Sequence, residues 1–175
     1  MTQRIHIMGT SGSGKTHLAR GLSRALGVPH VELDGLYHGP DWTPAEPAAF
    51  RAAVQRVAQG DAWVADGNYH AAREVLWDRA ELVLFLDVPR WRVMAQLLVR
   101  SLGRRALGTT LWNGNRERFW DLARLDAREN VLLWSWSRYA PDRADFRAAS
   151  MDPHWSRVRF SRVRSLAEAL AAVSR

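Results

Sequence analysis

Residues 9–16 read Gly-Thr-Ser-Gly-Ser-Gly-Lys-Thr, the pattern G-x-x-x-x-G-K-[ST]. They lie between a short apolar run at residues 4–8 and a stretch in which Leu18, Leu22 and Leu26 recur every four residues. Strand, glycine loop and amphipathic helix in that order constrain this chain more than any other feature it has. Glycines let successive backbone N–H groups turn toward one point, and the start of the following helix adds unpaired donors, so the loop suits phosphate oxygens. Gly9, Ser11, Gly12, Ser13, Gly14, Lys15, Thr16 and the adjoining His17 are the candidate nucleotide contacts. Lys15 brings a compact charge to the β- and γ-phosphates, and Thr16 a hydroxyl to Mg2+. Composition singles out the same lysine: of 25 Lys and Arg residues, 24 are arginine and Lys15 is the exception. A planar guanidinium is wider than an ammonium and does not fit the same tight concavity.

The rest of the chain alternates strand and helix. Strands are expected at 30–33, 62–65, 82–86 and 157–160, the second of the five ending at Asp34. The run at 82–86 is continuously apolar, as a strand covered on both faces should be. Helices are expected from the Thr43-Pro44-Ala45-Glu46 start, with Phe50, Val54 and Val57 on one face, and over 71–79, 91–102, 116–137 and from Ser165 onward. Residues 103–115 read as a glycine- and arginine-rich loop. This alternation implies an α/β sandwich with a mostly parallel sheet.

At 175 residues, 47% hydrophobic and 25% charged, the chain is expected to form one domain with a real core. No apolar run approaches the length of a membrane span, and no leader pattern is visible, so the expected location is the cytoplasm. Without cysteine there is no disulfide, thiolate metal site or thiol nucleophile. The net charge of +7 suits a polyanionic partner, but the arginines are scattered. No helix-turn-helix, zinc finger or dense basic stripe supports nucleic acid beyond a weak alternative.

Ligands of open α/β sheets gather at the carboxyl ends of strands. Three aspartates are expected there. Asp66, in Ala-Asp-Gly-Asn-Tyr, is the candidate metal ligand beside Thr16. Asp34 is either an acceptor contact, and a base if the acceptor is a hydroxyl, or a turn residue. Asp87, before Val88-Pro89, reads as a turn residue or cap.

The P-loop, "VELDGLYHGPDW" after strand two, "WVADGNY" at strand three and "LVLFLDVPRWR" at strand four together resemble the adenylate-kinase-related branch of the P-loop kinases. The similarity is greatest to small bacterial DNA-topology-modulation, or adenylate-kinase-like, proteins. It implies a P-loop three-layer α/β/α sandwich with a five-stranded sheet and a short lid at 105–118, all one domain. It also implies an ATP- and Mg2+-dependent phosphotransferase acting on a small acceptor. Arg100-Ser101-Leu102-Gly103-Arg104 matches the family's R-x-x-G-R stretch, which implies that Arg100 packs on the adenine and Arg104 reaches the phosphates. The family's D-G-x-P-R stretch is kept only as Asp66-Gly67; its proline and arginine are replaced, with Arg73 one helical turn on as a substitute, and AMP does not follow as the acceptor. The resemblance further implies acceptor contacts from the loop holding Tyr37, His38 and Trp42, and closure of the lid by Arg116 and Arg118, between Trp112 and Trp120.

Overall fold

The computed structural model describes residues 2–106, 108–115 and 130–175. Its strands are β1 (Arg4–Met8), β2 (His30–Glu32), β3 (Trp63–Asp66), β4 (Leu82–Leu86) and β5 (Arg159–Val163). They form one sheet in the order β2-β3-β1-β4-β5, and every neighbouring pair is parallel. The helices among the described residues are α1 (Lys15–Leu26), α2 (Leu33–Tyr37), α3 (Pro47–Ala58), α4 (His70–Trp77), α5 (Arg90–Ala106), α6 (Val131–Met151) and α7 (Leu166–Val173). From β1 the chain crosses to β2 and β3 on one side and then to β4 and β5 on the other. Such a reversal opens a crevice at the carboxyl ends of the central strands, and the glycine loop leaves β1 at that place.

The sheet is covered on both faces. Ile5, Ile7, Val64, Leu82, Leu84 and Leu86 pack toward Leu18, Ala19 and Leu22 of α1 and Ala169 and Ala172 of α7. Trp63, Ala65, Val83 and Phe85 pack toward Phe50 and Val54 of α3, Leu76 and Trp77 of α4 and Phe146 of α6. Alternate residues of β4 thus enter opposite cores, which is why its sequence is apolar without a break. Trp63, Trp77 and Trp155 are buried, whereas Trp91, Trp134 and Trp136 are exposed.

Local chemistry moves several boundaries. β2 ends at Glu32 because Leu33 opens α2, so Asp34 lies in the first turn of a short helix and not at a strand end. Helix α3 begins at Pro47, later than the Thr43–Glu46 stretch suggests: Glu46 is the cap, its carboxylate accepting from the Ala49 N–H at 3.0 Å. Pro44 instead bridges to His38. Helix α5 continues through Gly103 to Ala106, so Arg100 and Arg104 stand on a helix and do not border a loop. The expected helix at 116–137 falls largely outside the described residues; its residues 131–137 lie in α6, which starts afresh under the Asn130 side chain, the acceptor for the Leu132 and Leu133 N–H groups. β5 starts two residues later than expected. No described helix is long and apolar enough to cross a membrane.

Candidate functional site

The glycine loop has the backbone its sequence implies. Gly9 and Gly12 have φ of +157° and +86°. A Cβ on Gly12 would stand 2.8 Å from the Leu97 Cβ and 3.1 Å from the Val93 carbonyl, so the loop is pressed against α5. Gly14 is the N-cap of α1 and offers no side-chain acceptor, and no acidic residue occupies the first turn. The helix start therefore presents its N–H groups and positive dipole end to an anion. Lys15 and Thr16 are half-buried at this position, and His17 is exposed beside them.

Opposite the loop, β3 delivers Asp66, whose side chain is 3% exposed. Thr16 donates its hydroxyl to Asp66 Oδ2 at 2.6 Å, while His30 Nε2 lies 2.7 Å from Oδ1. Both carboxylate oxygens are thereby oriented. A buried carboxylate bonded to the P-loop hydroxyl is a hard oxygen donor pair of the kind Mg2+ takes, the ion completing its shell with phosphate and water. Among the described residues no cluster of three or more His, Cys, Asp or Glu side chains forms a self-sufficient metal site. The residues present thus fit an ion that arrives with the nucleotide.

The next residues of the same turn tie the site together. Asn68 accepts from the Gly9 N–H at 3.1 Å and donates its amide to the Gly9 carbonyl at 3.0 Å and to Asp142 Oδ2 at 3.2 Å. Tyr69 donates its hydroxyl to Asp34 Oδ1 at 2.7 Å. Burial, reinforced by the Asp34 charge, pushes the Tyr69 phenol above its ordinary pKa, so it remains a donor. Below the turn, His6 is fully buried. The Trp77 indole N–H donates to His6 Nδ1 at 2.8 Å, which puts the ring proton on Nε2, where it is donated to the Gly67 carbonyl at 2.9 Å. Burial lowers the His6 pKa to about 4.

Asp34 lies in an aromatic surround. The ring centroids of Tyr37 and Tyr69 are 4.6 Å apart, and His38 packs edge-on to Trp42 at 5.4 Å. Burial lowers the His38 pKa, with Asp34 opposing the shift. The described part of the expected lid is docked here. Trp112 stacks on His38 at 6.4 Å and donates its indole N–H to Glu32 Oε2 at 2.9 Å. Asn115 clasps the loop at Gly39 and Trp42, donating to the first carbonyl at 2.8 Å and accepting from the second N–H at 2.9 Å. Arg116 and Arg118 lie outside the described residues.

Sequence patterning predicts a helix only as far as residue 137 and assigns α6 no part in the site, yet its polar side chains pack against the glycine loop. Ser135 donates to the Ser11 carbonyl at 2.7 Å. Arg143 donates to the Thr10 hydroxyl at 3.3 Å and the Val88 carbonyl at 2.7 Å, and pairs with Asp87 at 2.7 Å. Arg162 reaches the other Asp87 oxygen, so Asp87 anchors two ion pairs, a role that the expected turn or cap did not include. Burial raises the pKa of Asp142, an effect opposed by Arg138 and by the charge of Lys15. Arg100 and Arg104, one turn apart on α5, are half-buried. Arg73 is placed over the Trp77 indole, 4.9 Å from the ring centroid, and burial lowers its pKa.

Neither a family model nor a curated protein sequence matches this chain. Solved structures do match it in shape. A gluconokinase from Sinorhizobium meliloti 1021 superposes with a TM-score of 0.55 at 20% identity, covering 99% of this chain and 92% of its own. A shikimate kinase from Acinetobacter baumannii, in complex with shikimate, gives 0.56 at 17% identity over 99% and 93%. A sugar kinase from Janibacter sp. HTCC2649 gives 0.54 at 18% identity over 99% and 95%. The fold is therefore that of the P-loop kinases, a three-layer α/β/α sandwich on a five-stranded parallel sheet.

Proposed function

We propose that this chain is a phosphotransferase that moves the γ-phosphoryl group of ATP, taken up with Mg2+, to a hydroxyl of a small acceptor. One observation carries the reading: residues 66–69 join a metal carboxylate bonded to the P-loop, an amide clamp on that loop, and a phenol holding a second carboxylate beyond it. Donor, metal and acceptor functions thus meet on a single turn, in a fold shared with kinases of small hydroxyl compounds. The fold alone does not specify a reaction; the site chemistry supports this one.

In this account the loop N–H groups and Lys15 hold the β- and γ-phosphates, and Arg100 and Arg104 face the nucleotide from α5. Thr16 and Asp66 hold Mg2+, which when bound offsets the charge on the phosphates. Asp34, oriented by Tyr69, accepts the proton of the acceptor hydroxyl. That oxygen forms a bond to the γ-phosphorus, the bond from phosphorus to the β–γ bridging oxygen breaks, and ADP leaves with the electron pair. Tyr37 borders the acceptor. Arg73, stacked on Trp77, serves the acceptor side through α4.

The test is ADP release from ATP across a panel of sugars, nucleosides, nucleotides and small alcohols, with Lys15→Ala as control. Acceptor-dependent release that vanishes in Lys15→Ala supports the proposal; release unaffected by that substitution refutes it.

A further inference from the structure

Given the phosphotransfer reading on which it rests, we infer that His38 is a positioning residue for the reaction: its ring holds the Tyr69 hydroxyl on Asp34, and the segment at 112–115 holds the ring. The arrangement is built within one turn of α2. Asp34 and His38 are four residues apart, so they stand on the same side of the helix. His38 is also the C-cap, its N–H donating to the Asp34 carbonyl at 2.9 Å. Tyr69 arrives from the turn after β3 and sets its oxygen between the two side chains. It lies 2.7 Å from Asp34 Oδ1 and 3.4 Å from His38 Nε2.

The proton positions follow from the donors present. Tyr69 has one O–H and gives it to Asp34, so toward His38 its oxygen accepts, and Nε2 carries the ring proton. Nδ1 is buried without a partner among the described residues. As the bare nitrogen it leaves no buried N–H unmatched; a second proton there would do so, and burial lowers the His38 pKa. Donation into the Tyr69 oxygen polarises its O–H and strengthens the bond to Asp34. A phenol held on both sides keeps one hydroxyl orientation, and with it one orientation of the base.

The His38 ring is itself clamped. Tyr37 and Trp42 meet it edge-on, with centroids at 5.0 and 5.4 Å, and Trp112 stacks on it at 6.4 Å, 23° from parallel. The Asn113 amide donates to the His38 carbonyl. A missing side chain admits Trp112: a Cβ on Gly35 would stand 2.9 Å from the Trp112 Cδ1. The order Trp112, His38, Tyr69, Asp34 thus runs from the docked segment to the base.

The experiment measures ADP release by the full chain with the most active member of the acceptor panel, glucose, adenosine, AMP and glycerol among those tried. His38→Phe keeps a flat ring in the stack and removes the N–H. The expected result is a kcat lower by about three- to tenfold, the worth of one hydrogen bond, with the KM for ATP unchanged. In a Tyr69→Phe background the same substitution is expected to cost less than about twofold, because its target is gone. His38→Gln, whose amide nitrogen can stand in for Nε2, is expected to recover most of the loss. Circular dichroism checks each fold, and His38→Leu takes the place of His38→Phe if that variant does not fold. No loss, equal losses in both backgrounds, a loss confined to the KM for ATP, or no recovery with His38→Gln overturns the inference and leaves the phosphotransfer reading standing. Calorimetric ATP binding with turnover of no panel member refutes the phosphotransfer reading, and the inference with it.

Discussion

The side-chain amide of Asn68 holds both polar groups of the Gly9 backbone, accepting from its N–H at 3.1 Å and donating to its carbonyl at 3.0 Å. The first glycine of the P-loop is thus fixed from the turn after β3, by the residue that precedes the Tyr69 clamp on Asp34. Asn68→Ala removes these two bonds and the one to Asp142, leaving the buried Gly9 groups unmatched. The expected loss is about 2–3 kcal/mol of stability by urea denaturation, with a raised KM for ATP. A variant that unfolds earlier but keeps the native KM would show that the clamp does not shape the loop.

Asp34→Asn retains the size of the side chain and removes its basicity. The expected effect is a fall in kcat of about a hundredfold or more with calorimetric ATP affinity preserved. Tyr69→Phe should produce a smaller fall, since the carboxylate loses its orienting donor and keeps its charge. Equal activity of Asp34→Asn and the parent chain would remove Asp34 from the chemistry.

His30 reaches from the edge strand to Asp66 Oδ1 at 2.7 Å, leaving Oδ2 for Thr16. Partners that orient a metal-binding carboxylate commonly change metal affinity by about ten- to a hundredfold when removed. His30→Ala is expected to raise the Mg2+ concentration needed for half-maximal ATP binding by about tenfold. Calorimetric titration of ATP at stepped Mg2+ concentrations reads this directly, and an unchanged Mg2+ dependence would assign His30 to packing alone.

His6 makes stability depend on pH. In the fold it stays neutral until about pH 4, whereas an unfolded histidine takes a proton near 6.5. The unfolded state therefore binds more protons between these values, and stability falls as pH drops from about 6.5 to about 4. The full contribution, present above pH 6.5, is on the order of 3 kcal/mol. His6→Gln should lower stability at pH 7 and flatten the slope across that window in denaturation curves.

The sequence makes local patterns visible and hides contacts across long separations. The P-loop, β4 and the α1 stripe are legible because each is a short run whose chemistry needs no distant partner. Asp66 stands out in the sequence because it closes an expected strand in Ala-Asp-Gly-Asn-Tyr, where ligands of such sheets gather. His30 does not, since its partner is 36 residues away and its strand is only three residues long. Helix α6 mixes the usual code: beside Phe146 and Ala149 it buries Ser135 and Asp142, and it exposes Trp134 and Trp136. Its inward polar residues serve the P-loop, so hydrophobic periodicity cannot reveal its face. The Asp34 register is misjudged for a related reason, because Leu33 is buried whether it ends a strand or opens a helix.

The most direct test of the central claim, that the β1–α1 loop grips the terminal phosphates of a nucleoside triphosphate, is calorimetric titration of ATP at millimolar Mg2+ into the native chain and Lys15→Ala. The account predicts saturable one-site heat with the native protein and its loss in a variant whose circular dichroism is unchanged. Heat of equal size and affinity in both proteins, or none with the native one, would contradict it.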